Sequence, residues 1–259
     1  MSDQQRPILE VDQLSVTYGP FHAVKNVSFT VQPGEIFGLL GPNGAGKTST
    51  LSAVEGLLKP QGGRISVAGY SVLEQPRHAK ANMGVQLQST SFQAELNVSE
   101  IIRLFAGIYG LELTAEQVQE KLKEINLQDS AGKRFGQLSG GQQQRVSLVI
   151  STIHDPKLVL LDEPTTGLDP QSRRQLWDRI EAIRAKGHAV LLTTHSMEEA
   201  EAVCDRIAII DHGQVIAIDT PEALIAAHRH DPDVISVSRK GKITLEDVFI
   251  GLTGRAVRS

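Results

Sequence analysis

The sequence predicts an α/β fold: a mostly parallel sheet, an N-terminal antiparallel β subdomain and an inserted helical subdomain. Three observations predict it. Short continuous apolar runs alternate with helix-patterned stretches over much of the chain, the order expected of a parallel sheet with helical crossovers. The first strands instead alternate apolar and polar residues, the period of a half-buried antiparallel pair. The stretch from Val98 to Gly136 carries helical patterning and no strand, so it interrupts the α/β order as an insertion. The 259 residues are read as one unit. Its α/β core with the β subdomain occupies about 1–88 and 158–228, its helical subdomain about 89–157, and a C-terminal extension about 229–259.

In chain order, Ile8 to Tyr18 and Ala23 to Val31 are strands paired through the turn at Gly19-Pro20. Tyr18, just ahead of that turn, either stacks on a nucleotide base or is an ordinary sheet residue. Glu35 to Leu40 is a short buried strand and Lys47 to Gly56 a helix. Between them stands Gly41-Pro42-Asn43-Gly44-Ala45-Gly46-Lys47-Thr48, a G-x-x-x-x-G-K-[ST] spacing. Such a loop wraps a phosphate in backbone N–H groups, so its inner surface must be free of side chains. The helix behind it aims its positive end at the same anion. Lys47 then serves the β- and γ-phosphates and Thr48 offers a hydroxyl to Mg²⁺. Pro42, Asn43, Ala45 and Ser49 complete the nucleotide-binding stretch. The core is thereby predicted to be that of a P-loop NTPase.

Gly62 to Gly69 reads as a strand, and Met83 to Gln88 as a short strand ending in glutamine. Asn97-Val-Ser-Glu100 starts a helix as a capping box, and Ile101, Ile102, Leu104, Phe105 and Ile108 form its apolar face. Leu138-Ser139-Gly140-Gly141-Gln142 opens a helix that runs to about His154. A hydroxyl and glycine N–H groups at a helix N-terminus make a second anion site. Two γ-phosphate-seeking loops in one chain make sense if the second closes on the first from another subunit.

Leu158 to Leu161 is an apolar run followed by Asp162 and Glu163, a central strand with functional groups at its carboxyl end. Asp162 is placed to hold Mg²⁺ and Glu163 to polarise the attacking water. Asp169-Pro170 caps a helix reaching about Lys186. Ala189 to Thr194 is a buried strand with His195 at its end, placed to donate to the γ-phosphate or to position the water. Ser196 to Glu199 caps the next helix, Arg206 to Ile210 and Gln214 to Ile218 form a hairpin, and Thr220-Pro-Glu starts a further helix. Beyond His228 the chain is weakly patterned until Ile243 to Leu252.

Composition narrows the partners. With 26 basic and 30 acidic residues the net charge is −4, which gives no general basic surface and disfavours nucleic acid. Cys204 is the only cysteine, so no intrachain disulfide forms, in keeping with a reducing compartment. No apolar signal core stands at the N-terminus and no uncharged apolar run is long enough to span a bilayer. The chain is therefore expected to be soluble, with any membrane role exercised through a partner.

Together these motifs resemble the nucleotide-binding subunit of the ATP-binding cassette (ABC) transporters. Gly41–Thr48 is similar to that family's Walker A motif, Leu138–Gln142 to its signature motif and Leu158–Glu163 to its Walker B motif with catalytic glutamate. Gly167-Leu-Asp169 resembles the D-loop, His195 the switch histidine and Tyr18 the base-stacking aromatic. Gln88 fits the Q-loop glutamine, near Mg²⁺ or the water, with Gln86 the competing choice. Leu245 to Arg255 is similar to the tail of the drug-exporter branch. The resemblance implies ATP and Mg²⁺ as cofactors, and a homodimer, or a heterodimer with a related ATPase, around two ATP. It also implies a separate transmembrane permease, contacted near Gln88, that holds this cytoplasmic subunit on the inner face of the cell membrane. A soluble ATP-driven clamp or regulatory module is the alternative; the single cassette without sustained heptads argues against it.

Overall fold

A computed structural model describes residues 6–86, 92–93, 95–238 and 242–254. The strands are β1 (Leu9–Tyr18), β2 (Phe21–Val31), β3 (Ile36–Leu40), β4 (Gly62–Val67), β5 (Tyr70–Ser71), β6 (Met83–Val85), β7 (Leu158–Asp162), β8 (Ala189–Thr194), β9 (Arg206–Asp211) and β10 (Gln214–Asp219). The helices are α1 (Lys47–Val54), α2 (Pro76–Ala81), α3 (Val98–Ile108), α4 (Ala115–Glu124), α5 (Gly140–Ser151), α6 (Pro170–Ala185), α7 (Met197–Val203), α8 (Pro221–His228), α9 (Pro232–Val237) and α10 (Leu245–Thr253).

Two sheets result. One is four-stranded and antiparallel in the order β2-β1-β4-β5, the other six-stranded in the order β10-β9-β3-β8-β7-β6. All neighbours in the second are parallel except β10 on β9. The predicted mixed α/β architecture is therefore present. β3 and β8 are buried at every residue, as expected for strands covered on both faces. Between the sheets, Phe37, Leu39 and Leu160 pack with Leu14, Val27 and α1. On the other face Val159, Leu161 and Leu192 pack with α6, α7 and α10. A third cluster, built on Ile101, Ile102, Leu122, Phe135 and Val146, belongs to the helical segment.

Register decides what meets what. Leu40 stands beside Thr194, and Asp162 beside Thr193. The carboxyl ends of β3, β7 and β8 are thus adjacent, and the segments that follow them open on the same edge. Close approach fixes the flank: a Cβ at Gly84 on β6 would sit 1.7 Å from the carbonyl oxygen of Ser151 at the end of α5.

Three expectations need correction. Leu104 and Ile108 do not belong to the buried face of α3; they are 50% and 66% exposed. The stripe that packs runs through Val98, Ile102 and Ala106 in steps of four, and Leu104 and Ile108 lie away from it. Second, the weakly patterned stretch after His228 contains a helix the sequence reading did not place: α9 forms there, capped by Asp231 and seated on α10 through Val234. Gly251 permits that contact, because a Cβ would meet Val234 Cγ2 at 2.5 Å. Third, β5 and α2 are additional short elements the sequence reading did not place. Among the described residues no helix is long and apolar enough to cross a membrane.

Candidate nucleotide-binding site

The loop Gly41–Thr48 bridges β3 and α1 and is pinned from three sides. Gly41 donates its N–H to Thr194 O at 3.2 Å, and Gly213 donates to Ala45 O at 3.0 Å. A Cβ at Gly41 would lie 2.3 Å from Ile210 O, and one at Gly46, whose φ is +102°, 2.4 Å from Ala23 O. These two glycines are thus required by neighbouring backbone as well as by the loop's inner surface. Gly44, at φ +81° with open space around it, serves curvature alone.

Lys47 is 4% exposed. Its ammonium donates to Gly41 O at 2.8 Å and Pro42 O at 3.2 Å, and stands 3.5 Å from Glu163 Oε1. Burial pulls the Lys47 pKa below its ordinary value, and the Glu163 charge pulls back. Glu163 takes a left-handed backbone, φ +46°, and donates its N–H to Thr193 O at 3.1 Å and Thr193 Oγ1 at 3.0 Å. That bend turns its carboxylate toward Lys47. The hydroxyl of Thr166 donates to the same carboxylate at 3.3 Å. His195 Nδ1 lies 3.3 Å from Glu163 Oε2. Burial pushes the Glu163 pKa up, but Lys47 and His195 outweigh it and hold the carboxyl below the ordinary value. Next door, the Thr193 hydroxyl donates to Asp162 Oδ1.

The cleft of about 190 Å³ above this group is lined by Asn43, Gly44, Gly46, Lys47, Thr48 and Glu163, with Ser49 and Ala23. Tyr18 stands on its rim, half exposed, with its hydroxyl 3.4 Å from Ser49 Oγ. Opposite Tyr18 across the hairpin is Phe21, also exposed and on the same cleft. The sequence reading missed Phe21. Its signal was an aromatic just past the Gly19-Pro20 turn, paired with Tyr18.

Not every expected residue converges here. Ser139, Gly140, Gly141 and Gln142 do not line the Lys47 cleft. Ser139 Oγ accepts from Gln142 N at 3.3 Å and Gln142 Oε1 from Ser139 N at 2.9 Å, a closed capping box on α5. Asp169 caps α6 and accepts from Ser172 Oγ at 2.6 Å. Gln88 lies outside the described residues. Gln86 is buried, and its amide donates to Gln144 Oε1 on α5.

The oxygen donors fit a hard divalent cation. Thr48 is exposed on the cleft, and Asp162 ends the strand beside it. Among the described residues no cluster of three or more His, Cys, Asp or Glu is arranged to cage a metal. Mg²⁺ requires none where phosphates and water supply most of its shell.

A family profile described as ABC transporter matches residues 24–166. The Nod factor export ATP-binding protein I of Burkholderia lata is 40% identical over 245 residues, 93% of this chain and 80% of its own length. The protein of that name from Sinorhizobium fredii is 42% identical over 298 residues, covering 96% and 87% respectively. A solved structure described as the ATP binding subunit of an ABC transporter superposes with a TM-score of 0.80 at 30% identity, over 95% of this chain and 99% of that one. The chain belongs to the ABC transporter family, as an ATP-binding and ATP-hydrolysing subunit.

Proposed function

We propose that this subunit binds Mg-ATP in the Lys47 cleft, that two subunits enclose two ATP between them, and that the cycle drives a separate transmembrane exporter from the cytoplasmic face of the cell membrane. One observation carries the catalytic part. Lys47 and His195, from two separate segments, both lie within 3.5 Å of the Glu163 carboxylate at the carboxyl ends of adjacent strands.

In this reading the backbone N–H groups of Gly41–Thr48 and the Lys47 ammonium bind the phosphates, while Tyr18 and Phe21 flank the base. Thr48 and Asp162 would hold Mg²⁺, which would supply positive charge to offset that of the phosphates. Glu163, ionised at neutral pH, accepts a proton from the attacking water. The water oxygen bonds to the γ-phosphorus as the bond to the bridging oxygen breaks, leaving ADP and phosphate. His195 orients the water and the γ-phosphate. Ser139, Gly140, Gly141 and Gln142 reach the γ-phosphate of the facing subunit. Export is supported by the names of the relatives above and by the exporter-like tail at Leu245–Arg255.

Two inactive proteins test the shared site. Lys47→Ala disables the phosphate loop and Ser139→Arg the facing loop, so each homodimer carries a lesion in both sites. A mixed dimer places both lesions in one site and leaves the other intact. Mixing should restore ATPase activity, and Glu163→Gln should run as a dimer in gel filtration with ATP and as a monomer without it. Absence of both results at saturating ATP refutes sharing in the isolated subunit.

A further inference from the structure

Glu199 is a carboxylate the mechanism above does not use. It sits in the first turn of α7 and is 1% exposed. Its position after Ser196 predicts a capping box, and only half of one forms. Ser196 Oγ accepts from Glu199 N at 3.3 Å, but the Ser196 N–H goes to Thr194 Oγ1 at 2.9 Å, so the Glu199 side chain does not return to it. The carboxylate turns inward instead. Trp177 Nε1 on α6 donates to Glu199 Oε1 at 3.2 Å. The hydroxyls of Thr194 and Thr165 stand against the same group. Both threonines are almost fully buried.

The three groups around the carboxylate come from three functionally placed segments. Thr165 is two residues beyond Glu163. Thr194 immediately precedes His195. Trp177 lies on the helix that starts at the Asp169 cap. A second tie joins the same two helices on the outside, where Arg173 Nη1 pairs with Glu198 Oε2 at 2.6 Å. A buried carboxylate costs stability unless its bonds are made, so an apolar residue would serve packing better. What the carboxylate supplies is several acceptor sites at one point, which lets it bind several segments at once.

We propose that Glu199 is a positioning residue for ATP hydrolysis. Its carboxylate joins the loop after Glu163, the strand end that carries His195 and α6 into one unit, and so fixes the separation of Glu163 and His195 around the attacking water. The proposal rests on the roles assigned to those two residues above. The carboxylate itself contacts neither the phosphate loop nor Tyr18, so the proposal predicts loss of turnover without loss of ATP binding.

Trp177 is the only tryptophan in the chain, so its fluorescence reports on this network without a label. Glu199→Ala should lower kcat by about tenfold or more and leave KM for ATP within about twofold, the pattern of a misplaced reacting group. The tryptophan emission should change in the same variant. Glu199→Gln keeps an acceptor oxygen for the indole and should recover most of the lost kcat. A folded Glu199→Ala protein with kcat within about twofold of wild type overturns the proposal. If Glu199→Ala does not fold, Trp177→Phe and Thr165→Val decide, because each removes one polar group beside the carboxylate and keeps the carboxylate. Each should lower kcat by about threefold or more at unchanged KM, and wild-type kcat in both overturns the proposal. Glu163→Gln is assayed in parallel. If it is inactive while the network variants are normal, the positioning role alone fails; if it turns over normally, the assignment of the base fails.

Discussion

Glu163→Gln separates chemistry from folding, and the geometry gives both magnitudes. The lost charge lies 3.5 Å from Lys47 Nζ. At an effective dielectric constant of 20 that attraction is about 5 kcal/mol, and in bulk water about 1 kcal/mol. Glu163 keeps 24% of its side-chain surface exposed, so the pair lies between these limits. Relief of desolvation at Glu163 opposes the loss. The net destabilisation should therefore stay below about 2 kcal/mol, a fall in Tm of no more than about 8 °C. Turnover behaves differently: removing a general base costs about 10² to 10⁴ in kcat. Glutamine keeps the shape of the side chain, so ATP binding should persist. The assay is steady-state phosphate release beside equilibrium nucleotide binding and a melting curve. Wild-type kcat in a protein that binds ATP would refute Glu163 as the base and leave His195 as the candidate. A loss of ATP binding that matches the loss of turnover would refute the separation of roles.

Lys47→Ala should weaken ATP binding and lower hydrolysis by on the order of 10²-fold or more, since one preorganised charge serves both the ground state and the transition state. Binding and phosphate-release assays, controlled for contaminating ATPases, check this. Glu55, at the end of α1, is pushed up to about 7 by burial and by the nearby Asp162 charge. A raised carboxyl pKa contributes stability below the unfolded value of 4.5 that is lost as pH rises through about 7. In metal-free, nucleotide-free buffer, Glu55→Gln should therefore raise Tm at pH 8 and leave it nearly unchanged at pH 4. The depressed Glu163 carboxyl has the opposite sign: its contribution is complete at neutral pH and is lost only as pH falls through its lowered pKa. Gly84→Ala should cost about 3 kcal/mol or more by urea denaturation, because its Cβ would meet Ser151 O at 1.7 Å and backbone on both sides must move.

The parts of the molecule legible in the sequence are those whose chemistry is local. The loop from Gly41 to Thr48, the acids at the end of β7 and the histidine at the end of β8 each follow a strand whose apolar run announces it. Their convergence is not local, yet it follows once the three strands are parallel neighbours. What escaped, Leu104 apart, depends on partners distant in the chain. Leu104 stands two residues from Ile102, on the far side of α3 from the stripe that packs, and its apolar character alone hid that. α9 is six residues long, and Val234 becomes a core residue only because Gly251 lets α10 come close. Gly46 reads as a phosphate-loop glycine, but its contact with Ala23 O belongs to the β subdomain. Glu199 reads as half of a capping box because the competing acceptor, Thr194 Oγ1, is invisible to a rule that looks three residues ahead.

The capping box at Ser139 bears on the shared-site reading. A helix N-terminus attracts an anion because its first N–H groups lack intrahelical partners. On α5 one such donor, Gln142 N, is held by Ser139 Oγ, while Gln142 Oε1 holds Ser139 N. A phosphate accepts the Ser139 O–H while the same oxygen keeps the Gln142 N–H, so the charge-assisted bond is added to the cap rather than exchanged for it. Gly140 is exposed and offers its N–H beside it. Gly141 is packed on Ser172, where a Cβ would stand 2.6 Å from Oγ, so movement of this loop is transmitted to α6 and its Asp169 cap. On the shared-site reading, occupation of the loop by a facing nucleotide would reach the same helix that donates Trp177 to Glu199.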